Sequence, residues 1–550
     1  MAQTRRATAH ALRAGHRGTH PSVFPLPQRV PRNPVRPERH YPCRRPWPLP
    51  PPAPPVDDYP PPLLYLGYTG FVIPYAFAMA ALMAGRLDDG WIRTSRRWTL
   101  TAWLLLSLGL ILGGRWAHDV LGWGGYWAWD PVENAAFMPW LAGTAFLHSV
   151  MIQEKRGMFK MWNIFLIILT YLLVVYGTLI VRTGLLQSVH AFAQSEIQWH
   201  FFGFTTLMIV LSTFWATYRA QALKSNNYLH SFISREAAFL YNNFVVLAIL
   251  LVIFIFTNYS LLSEFFTGEV YMVGETTYEA ALGPLFAVLL LLMGIAPLTM
   301  WYRTSMSRLG NMSRWPAVAA TVFVAGLAVW GVRQIGALLG LWIVAFSAIL
   351  TILEYVRGVQ ARVGKGESWP TALAMLFQRN QRRYGGYLIH LGVIVMAFGV
   401  IGTEFFQQQT QVFLTTGERA TLGNYVIEFK GVEGYTDNDL EIVQATADVY
   451  DSDGRFLTTL TPYTQLFGSG EGMTIPAARS NLIEEFYILL VNWEGVTADS
   501  ATIRLYLTPL INWVWAGGLI FMLGTFIAAW PDPLDEKLAN AQRLVATAGD

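Results

Sequence analysis

The sequence predicts an all-α polytopic membrane protein with about eleven transmembrane helices and a small β-rich domain outside the membrane. Charged residues make up only 14% of its 550 residues, whereas a soluble domain has about 25%. Nearly uncharged segments such as 98–113, 162–181 and 237–257 are long enough to cross the hydrocarbon of a bilayer. A later segment instead alternates apolar and polar residues in short runs, as β-strands do. These observations exclude an ordinary cytosolic enzyme.

Eleven mainly apolar segments follow one another from Leu63 onward. We predict spans at residues 63–83, 98–113, 136–152, 162–181, 199–218, 237–257, 283–301, 316–332, 335–356, 386–402 and 509–530. The loops between them alternate between a set rich in Lys and Arg and a set that holds few of either. By the positive-inside rule the basic loops lie in the cytoplasm and the other loops lie outside.

This pattern divides the chain into five parts. The first part holds more than half of the chain's prolines and ten arginines, so we expect it to be disordered or, alternatively, to be a mis-framed leader. The predicted parts are the leader 1–60, a ten-helix transmembrane domain 61–402 with an outer loop 114–135, a β-rich outer domain 403–508, a final span 509–530 and a cytoplasmic tail 531–550.

Charge and cysteine content limit the possible chemistry. The formal net charge of +3 is too small to suggest a nucleic-acid partner. The single cysteine, Cys43, excludes an intramolecular disulfide framework and a cysteine-based metal cage. A metal or cofactor must therefore be held by His, carboxylate or Met. The glycine-rich stretch 468–472 lacks the lysine and following helix of a phosphate loop, so we predict a turn there.

Large aromatic residues are concentrated in the outer loop before the third span. Trp123, Tyr126, Trp127 and Trp129 fall within seven residues, next to a double glycine and to Asp130, which precedes a proline that can begin a helix. Aromatic belts at bilayer interfaces would account for scattered Trp and Tyr. This dense arrangement favours a flat amphipathic ligand whose faces stack on indole rings, with interfacial anchoring as the alternative.

This loop carries a family resemblance. Residues 123–134 resemble the tryptophan-rich motif of the cytochrome c maturation haem lyases, the haem-handling family that includes CcmF and CcsA. Segments 137–145, 61–68 and 188–192 are similar to the CcmF branch, and the resemblance covers roughly residues 61–530. It implies a multi-pass protein of the bacterial inner membrane whose tryptophan-rich loop and β domain face the periplasm. It also implies that four spans carried by larger relatives ahead of this region are absent.

Two histidines within the spans are costly in hydrocarbon and default to a functional hypothesis. His148 lies seven residues before Lys155 and His390 lies seven residues after Arg383, so each is roughly 10 Å from a cytoplasmic basic residue. Two imidazoles that face one another at one level are what a b-type haem needs as axial ligands. Unrelated helix-packing histidines are the alternative. The resemblance implies transmembrane axial ligands at these two positions.

The resemblance also implies an outer haem site. His190 matches an outer axial ligand of the substrate haem, whereas Pro60 stands where the family has the opposite histidine. The resemblance places Trp123, Tyr126, Trp127 and Trp129 against the haem, and Asp130 would orient polar contacts. We found no residue with the signature of a nucleophile, in keeping with thiols that come from the substrate.

The implied function is cytochrome c maturation. The chain would bind haem at the outer face, keep it reduced through a transmembrane haem b with quinol as donor, and promote its covalent thioether attachment to the CxxCH segment of apocytochrome c. The implied partners are the haem chaperone CcmE, apocytochrome c, thiol-handling subunits of the CcmH and CcmI type, and membrane lipid. A haem exporter, or a haem-binding assembly factor without bond-forming activity, is the alternative.

Overall fold

The computed structural model describes residues 60–122, 124–186, 188, 197–225, 227–437, 440–466, 472–493 and 499–530. All but the last residue of the predicted leader 1–60, and the whole predicted tail 531–550, lie outside the described residues.

The described residues form thirteen α-helices, of which eleven are long and apolar enough to cross a membrane. The helices are α1 (Pro60–Ala84), α2 (Gly90–Val120), α3 (Pro131–Arg156), α4 (Lys160–Thr183), α5 (Gln198–Tyr218), α6 (Arg235–Thr257), α7 (Tyr259–Thr267), α8 (Glu275–Ile295), α9 (Met306–Trp330), α10 (Ile335–Val363), α11 (Trp369–Arg379), α12 (Gln381–Phe406) and α13 (Ile511–Ala529). The short helices α7 and α11 were not predicted, because neither holds an apolar run long enough to span a bilayer. The predicted eleven-span helical fold is confirmed in this part of the chain.

The second helix is longer than its apolar run. It begins at Gly90 and continues to Val120, well past the predicted end at residue 113. Its last turns are polar, yet Arg115 and Asp119 form an i,i+4 ion pair of 2.7 Å that favours helix. The tryptophan-rich loop is therefore shorter than the predicted 114–135 and spans residues 121–130.

Glycines let pairs of helices approach closely. A Cβ on Gly67 of α1 would lie 2.5 Å from the backbone nitrogen of Leu106 on α2. In the same way, a Cβ on Gly392 of α12 would lie 2.5 Å from the backbone nitrogen of Phe521 on α13. Close backbone contact at small residues is a common way for spanning helices to associate, because lipid offers no hydrophobic drive.

The β-rich region lies between α12 and α13 and consists of two antiparallel sheets. Its strands are β1 (Gln408–Thr415), β2 (Arg419–Leu422), β3 (Tyr425–Asp437), β4 (Leu440–Asp451), β5 (Phe456–Leu460), β6 (Tyr463–Leu466), β7 (Gly472–Ile475), β8 (Ala477–Ser480), β9 (Glu484–Trp493) and β10 (Ser500–Pro509). One sheet has the order β1-β10-β9-β8 and the other β2-β3-β4-β6-β7, with β5 paired to β4. Phe429, Ile488 and Ile503 are fully buried in the core that the two sheets share. This architecture confirms the predicted β-rich region.

The ends of the helices opposite the β domain are joined by ion pairs. Arg96 of α2 contacts Glu154 of α3 at 3.0 Å. Arg156 at the end of α3 contacts Glu236 at the start of α6, also at 3.0 Å, with both side chains largely buried. These pairs bring the predicted basic loops to one end of the bundle. Which end faces the cytoplasm stays a prediction.

Candidate functional site

The two histidines within the spans lie side by side. The ring centres of His148 on α3 and His390 on α12 are 6.3 Å apart, and the ring planes differ by 12°. His148 Nδ1 lies 2.8 Å from the carbonyl oxygen of Thr144. Because a carbonyl oxygen only accepts, Nδ1 donates this bond and Nε2 is left with its lone pair. Such an outer hydrogen bond is usual for a histidine that binds a metal.

The pair fits a metal that brings most of its own ligands. Two imidazoles that each bind one metal through a nitrogen, with bonds of about 2 Å, have ring centres roughly 6 Å apart. His390 Nδ1 is buried and has no hydrogen-bond partner among the described residues, although buried polar atoms are normally satisfied. In the part of the chain that the structure describes, no group of three or more His, Cys, Asp or Glu could hold a metal ion. A metal that is held by these two imidazoles and by a macrocycle would fit this arrangement.

A carboxylate and two arginines near this pair are matched with one another. Glu354 on α10 accepts from Arg357 and from Arg383, each at 2.9 Å, and is only 8% exposed at its side chain. Arg383 also contacts the hydroxyl of Tyr387 at 3.2 Å. The arginine two turns from His390 is therefore engaged with a carboxylate of a neighbouring helix.

At the β-domain side, Trp129 has an uncommon backbone conformation. Its φ of 55° lies in the left-handed region, which costs a residue other than glycine about 1 to 3 kcal/mol. The ring of Trp129 stacks on Tyr278 of α8, with centres 5.0 Å apart and planes 10° apart. Its carbonyl oxygen accepts from Asn134 at 2.8 Å. This strained turn places the indole against Tyr278 of α8.

Asp130 is used to start the following helix. Its carboxylate accepts from the backbone nitrogen of Val132 at 2.9 Å, and the Glu133 carboxylate accepts in return from the Asp130 nitrogen at 3.2 Å. This reciprocal arrangement is a capping box. The Ser188 hydroxyl donates to Asp130 at 2.6 Å. Asp130 therefore orders the loop itself and joins it to the segment that follows α4.

Trp127 offers an unused hydrogen-bond donor. Its ring meets Trp129 edge-on, with centres 6.0 Å apart, and meets Phe137 at 5.7 Å. Its Nε1 atom is buried and has no partner among the described residues. A buried indole N–H normally finds an acceptor, so this atom marks a place where a ligand oxygen would be stabilised.

A cavity of about 210 Å³ opens beside this loop. The residues that line it include Trp129, Tyr278, Leu186, Thr257 and Glu264. Its walls are mainly apolar with a few polar groups, as is usual for sites that hold an amphipathic molecule.

The β domain contacts the tryptophan-rich loop directly. A Cβ on Gly124, whose φ is +82°, would lie 2.5 Å from the Tyr506 ring of β10. The Gly124 carbonyl accepts from Gln407 at 3.1 Å. Tyr126 meets Trp515 of α13 edge-on at 6.0 Å. Burial raises the pKa of Tyr126, and the Glu404 carboxylate adds to the effect.

Sequence reasoning missed one buried histidine–carboxylate contact at this junction. His118 of α2 lies 2.5 Å from Glu485 of β9, and each side chain is 2% exposed. Burial alone would raise the pKa of Glu485, but the hydrogen bond and charge of His118, with smaller contributions from Ser480 and Arg115, hold this pKa below its usual value. The signal in the sequence was Glu485 itself, a carboxylate directly before the apolar residues of β9.

Three positions from the sequence analysis have no described side chain. Trp123 and His190 lie outside the described residues, and Pro60 begins α1 without a described side chain. The structure brings together His148 with His390, and Trp127 with Trp129 and Asp130. It leaves the proposed ligand role of every one of these residues as a prediction.

Comparisons with known proteins relate the chain to a family of biogenesis proteins. A family model described as cytochrome C assembly protein matches residues 61–190. The CcmF cytochrome c-type biogenesis protein of Haemophilus influenzae is 35% identical over 472 residues, which are 84% of this chain and 70% of that protein. The Escherichia coli CcmF protein is 33% identical over 490 residues, which are 88% of this chain and 72% of that protein.

A solved structure has a similar fold. The cytochrome c haem lyase CcmF has 29% sequence identity and a TM-score of 0.71, over 86% of this chain and 72% of that chain. Sequence and fold therefore agree over most of the chain. The chain belongs to the CcmF family of cytochrome c-type biogenesis proteins.

Proposed function

We propose that this protein acts as the haem lyase component of cytochrome c maturation. It would hold substrate haem at the tryptophan-rich loop and promote thioether attachment to the CxxCH segment of apocytochrome c. The observation that carries the proposal is the parallel pair His148 and His390, partly buried among the helices, with His390 Nδ1 buried and unsatisfied. Family membership supports the reaction class.

His148 and His390 would hold a haem b as axial ligands. This group supplies reversible one-electron chemistry when it is bound. The chain's own contribution is orientation: the Thr144 carbonyl fixes the His148 ring and leaves Nε2 as its only free nitrogen. Quinol is the proposed electron donor.

The tryptophan-rich loop would hold the substrate haem. Trp123, Trp127, Trp129 and Tyr126 offer aromatic surface, and the free N–H of Trp127 would donate to a propionate oxygen. His190 would bind the substrate iron until the histidine of CxxCH replaces it. Each thioether forms as a cysteine sulfur bonds to one vinyl carbon while the thiol hydrogen adds to the other, so the addition leaves no surplus electrons. Holding both reactants in place is the catalytic contribution.

The remaining proposals concern placement and partners. Residues 61–402 and 509–530 would form the part within the bacterial inner membrane, with residues 403–508 and the tryptophan-rich loop in the periplasm. The haem chaperone CcmE would deliver haem, and subunits of the CcmH and CcmI type would present reduced apocytochrome.

A reduced-minus-oxidised spectrum of the purified protein tests the inner site. We expect a b-type signal that is lost in His148→Ala and in His390→Ala. His200→Ala is the matched control, because His200 is an exposed histidine on α5, and its signal should be unchanged. A full signal in either of the first two variants would contradict the ligand assignment.

Covalent haem on a co-expressed apocytochrome tests the lyase role. His190→Ala should abolish the product, and Trp127→Phe should reduce it because an aromatic ring remains while the N–H donor and part of the aromatic surface are lost. Haem bound by the wild-type protein with no thioether product would instead favour a haem exporter or assembly factor.

A further inference from the structure

Two tryptophans on α2 and α3 form a closed ring of four hydrogen bonds. Trp103 Nε1 donates to the Thr144 hydroxyl at 2.9 Å, and that hydroxyl donates to the Trp140 carbonyl at 2.7 Å. Trp140 Nε1 donates to the Ser107 hydroxyl at 2.8 Å, and that hydroxyl donates to the Trp103 carbonyl at 2.6 Å. The two indoles stack with centres 5.5 Å apart and planes 17° apart. We call these four residues the tryptophan clamp.

The clamp is built symmetrically from both helices. On each helix a hydroxyl residue lies four positions after its tryptophan and binds that tryptophan's carbonyl, so it is held ready to accept from the other indole. All four polar side-chain groups are thereby satisfied inside the span, where an unpaired group is costly. The result is a connection with one register and one orientation, because slipping either helix by a residue would break both indole bonds.

The clamp reaches His148 through Thr144. Thr144 supplies the hydroxyl that accepts from Trp103, and its carbonyl accepts from His148 Nδ1 at 2.8 Å. One residue therefore contacts both the clamp and the imidazole. Because Thr144 and His148 lie one turn apart on α3, a movement of α3 against α2 at this residue carries the imidazole with it.

The clamp reaches His390 through Phe521 of α13. The Phe521 ring packs against Trp103 at 5.2 Å and Trp140 at 6.4 Å. A Cβ on Gly392 would lie 2.5 Å from the backbone nitrogen of Phe521. Gly392 is two residues beyond His390 on α12. The same cluster therefore positions both histidine-bearing helices.

We infer that the tryptophan clamp is the positioning device that holds the imidazoles of His148 and His390 parallel and at a separation suited to one metal. This inference rests on the proposed function, since it assigns a role toward the inner haem. Thr144 is its central positioning residue. Ordinary helix packing would explain the contacts between α2 and α3. It does not require that Thr144, which accepts from Trp103, also accept from the His148 imidazole.

Electron paramagnetic resonance of the oxidised protein tests this inference, because its low-spin signal depends on the angle between axial imidazole planes. Parallel planes give a rhombic signal, and planes turned toward a right angle give a strongly anisotropic one. We expect a rhombic signal in the wild type and a shift toward the anisotropic form in Thr144→Val, which keeps the side-chain shape and loses both hydroxyl bonds. Thr144→Ser should restore the wild-type signal. Ser107→Ala, which removes only the acceptor of Trp140, should give a smaller shift.

Thr321→Val is the matched control. Thr321 of α9 accepts from Trp342 Nε1 of α10 at 3.0 Å, so this variant removes the same kind of bond between two spanning helices away from the histidines. Its signal and midpoint potential should equal those of the wild type. Thr144→Val and Ser107→Ala spectra that match the wild type, or shifts no larger than the control's, would overturn the inference. A wild-type protein that binds no haem would instead refute the proposed function.

Discussion

The inner histidine pair and the outer tryptophan-rich loop are held in opposite ways. His148 and His390 stand on long helices, and the nearby tryptophans of the clamp have both indole N–H groups satisfied. The outer loop has a left-handed Trp129 and a buried Trp127 N–H without a partner among the described residues. Around the histidine pair, the buried nitrogen that has no hydrogen-bond partner among the described residues is His390 Nδ1.

This difference suggests different tasks. Rigid elements hold a ligand set precisely when their own side chains are locked by packing and hydrogen bonds. Strain and unsatisfied donors concentrate where a molecule is bound and released. The inner pair therefore suits a resident group, and the outer loop, supported by the capping box and the β domain, suits a substrate that arrives and leaves.

The largest expected effect is at the contact between α12 and α13. Gly392→Ala places a Cβ 2.5 Å from backbone atoms of α13, which cannot move without shifting the helix. We expect loss of most of the b-type signal, measured as haem per purified protein. Gly386→Ala on the same helix is the control, because no heavy atom lies within 4 Å of its Cβ position. Equal haem content in both variants would show that the inner pair does not depend on this packing.

The next effect concerns the junction of the outer loop with the β domain. Glu485→Gln breaks the buried pair with His118 and should cost about 3 kcal/mol of stability, measured by thermal unfolding in detergent. The inner haem spectrum should be unchanged. Glu428→Gln on β3, which breaks surface ion pairs with Arg419 and Lys430, should change stability little. Loss of the inner spectrum in Glu485→Gln would mean that the two regions are not independent.

Removing the cap should have a smaller effect on stability. Asp130→Ala loses the N-cap of α3 and should cost about 1 kcal/mol, together with a clear fall in covalent haem product because the loop loses its anchor to Ser188. Ser305→Ala removes a comparable cap from α9 and should leave the product unchanged. If both variants gave the same yield, the cap would serve the helix alone.

The smallest expected effect is the response to acid of the junction between α2 and the β domain. Since the folded-state pKa of Glu485 is lowered, its contribution to stability is present above 4.5, the ordinary value, and is lost as pH falls below it. The melting temperature of the wild type should therefore fall more steeply below this pH than that of Glu485→Gln. If the two melting temperatures fell in parallel with pH, the contact between Glu485 and His118 would not be the cause.

Much of the architecture could be predicted from local pattern. Apolar length predicted the eleven spans, alternation predicted the β-rich region, and the motif at residues 123–134 predicted the family that the comparisons confirm. The depth argument predicted that His148 and His390 could face each other, and their rings do lie 6.3 Å apart. That they bind iron stays a prediction.

The partners of side chains could not be predicted in the same way. Asp130 was expected to orient a ligand, yet its described contacts cap a helix and hold Ser188. His118 and Glu485 are 367 residues apart in the chain and meet only because the β domain folds back onto α2. No local periodicity carries information about such a contact.

The sequence by itself determined which segments enter the membrane, because hydrocarbon selects for length and apolarity residue by residue. It also determined that imidazoles stand at one depth, because depth follows from counting along a helix. Only the tertiary structure decided that the two rings are parallel, that two indole hydrogen bonds join α2 to α3, and that a sheet supports the tryptophan-rich loop. Those features depend on the angle and register between elements, which are set by packing many distant side chains at once.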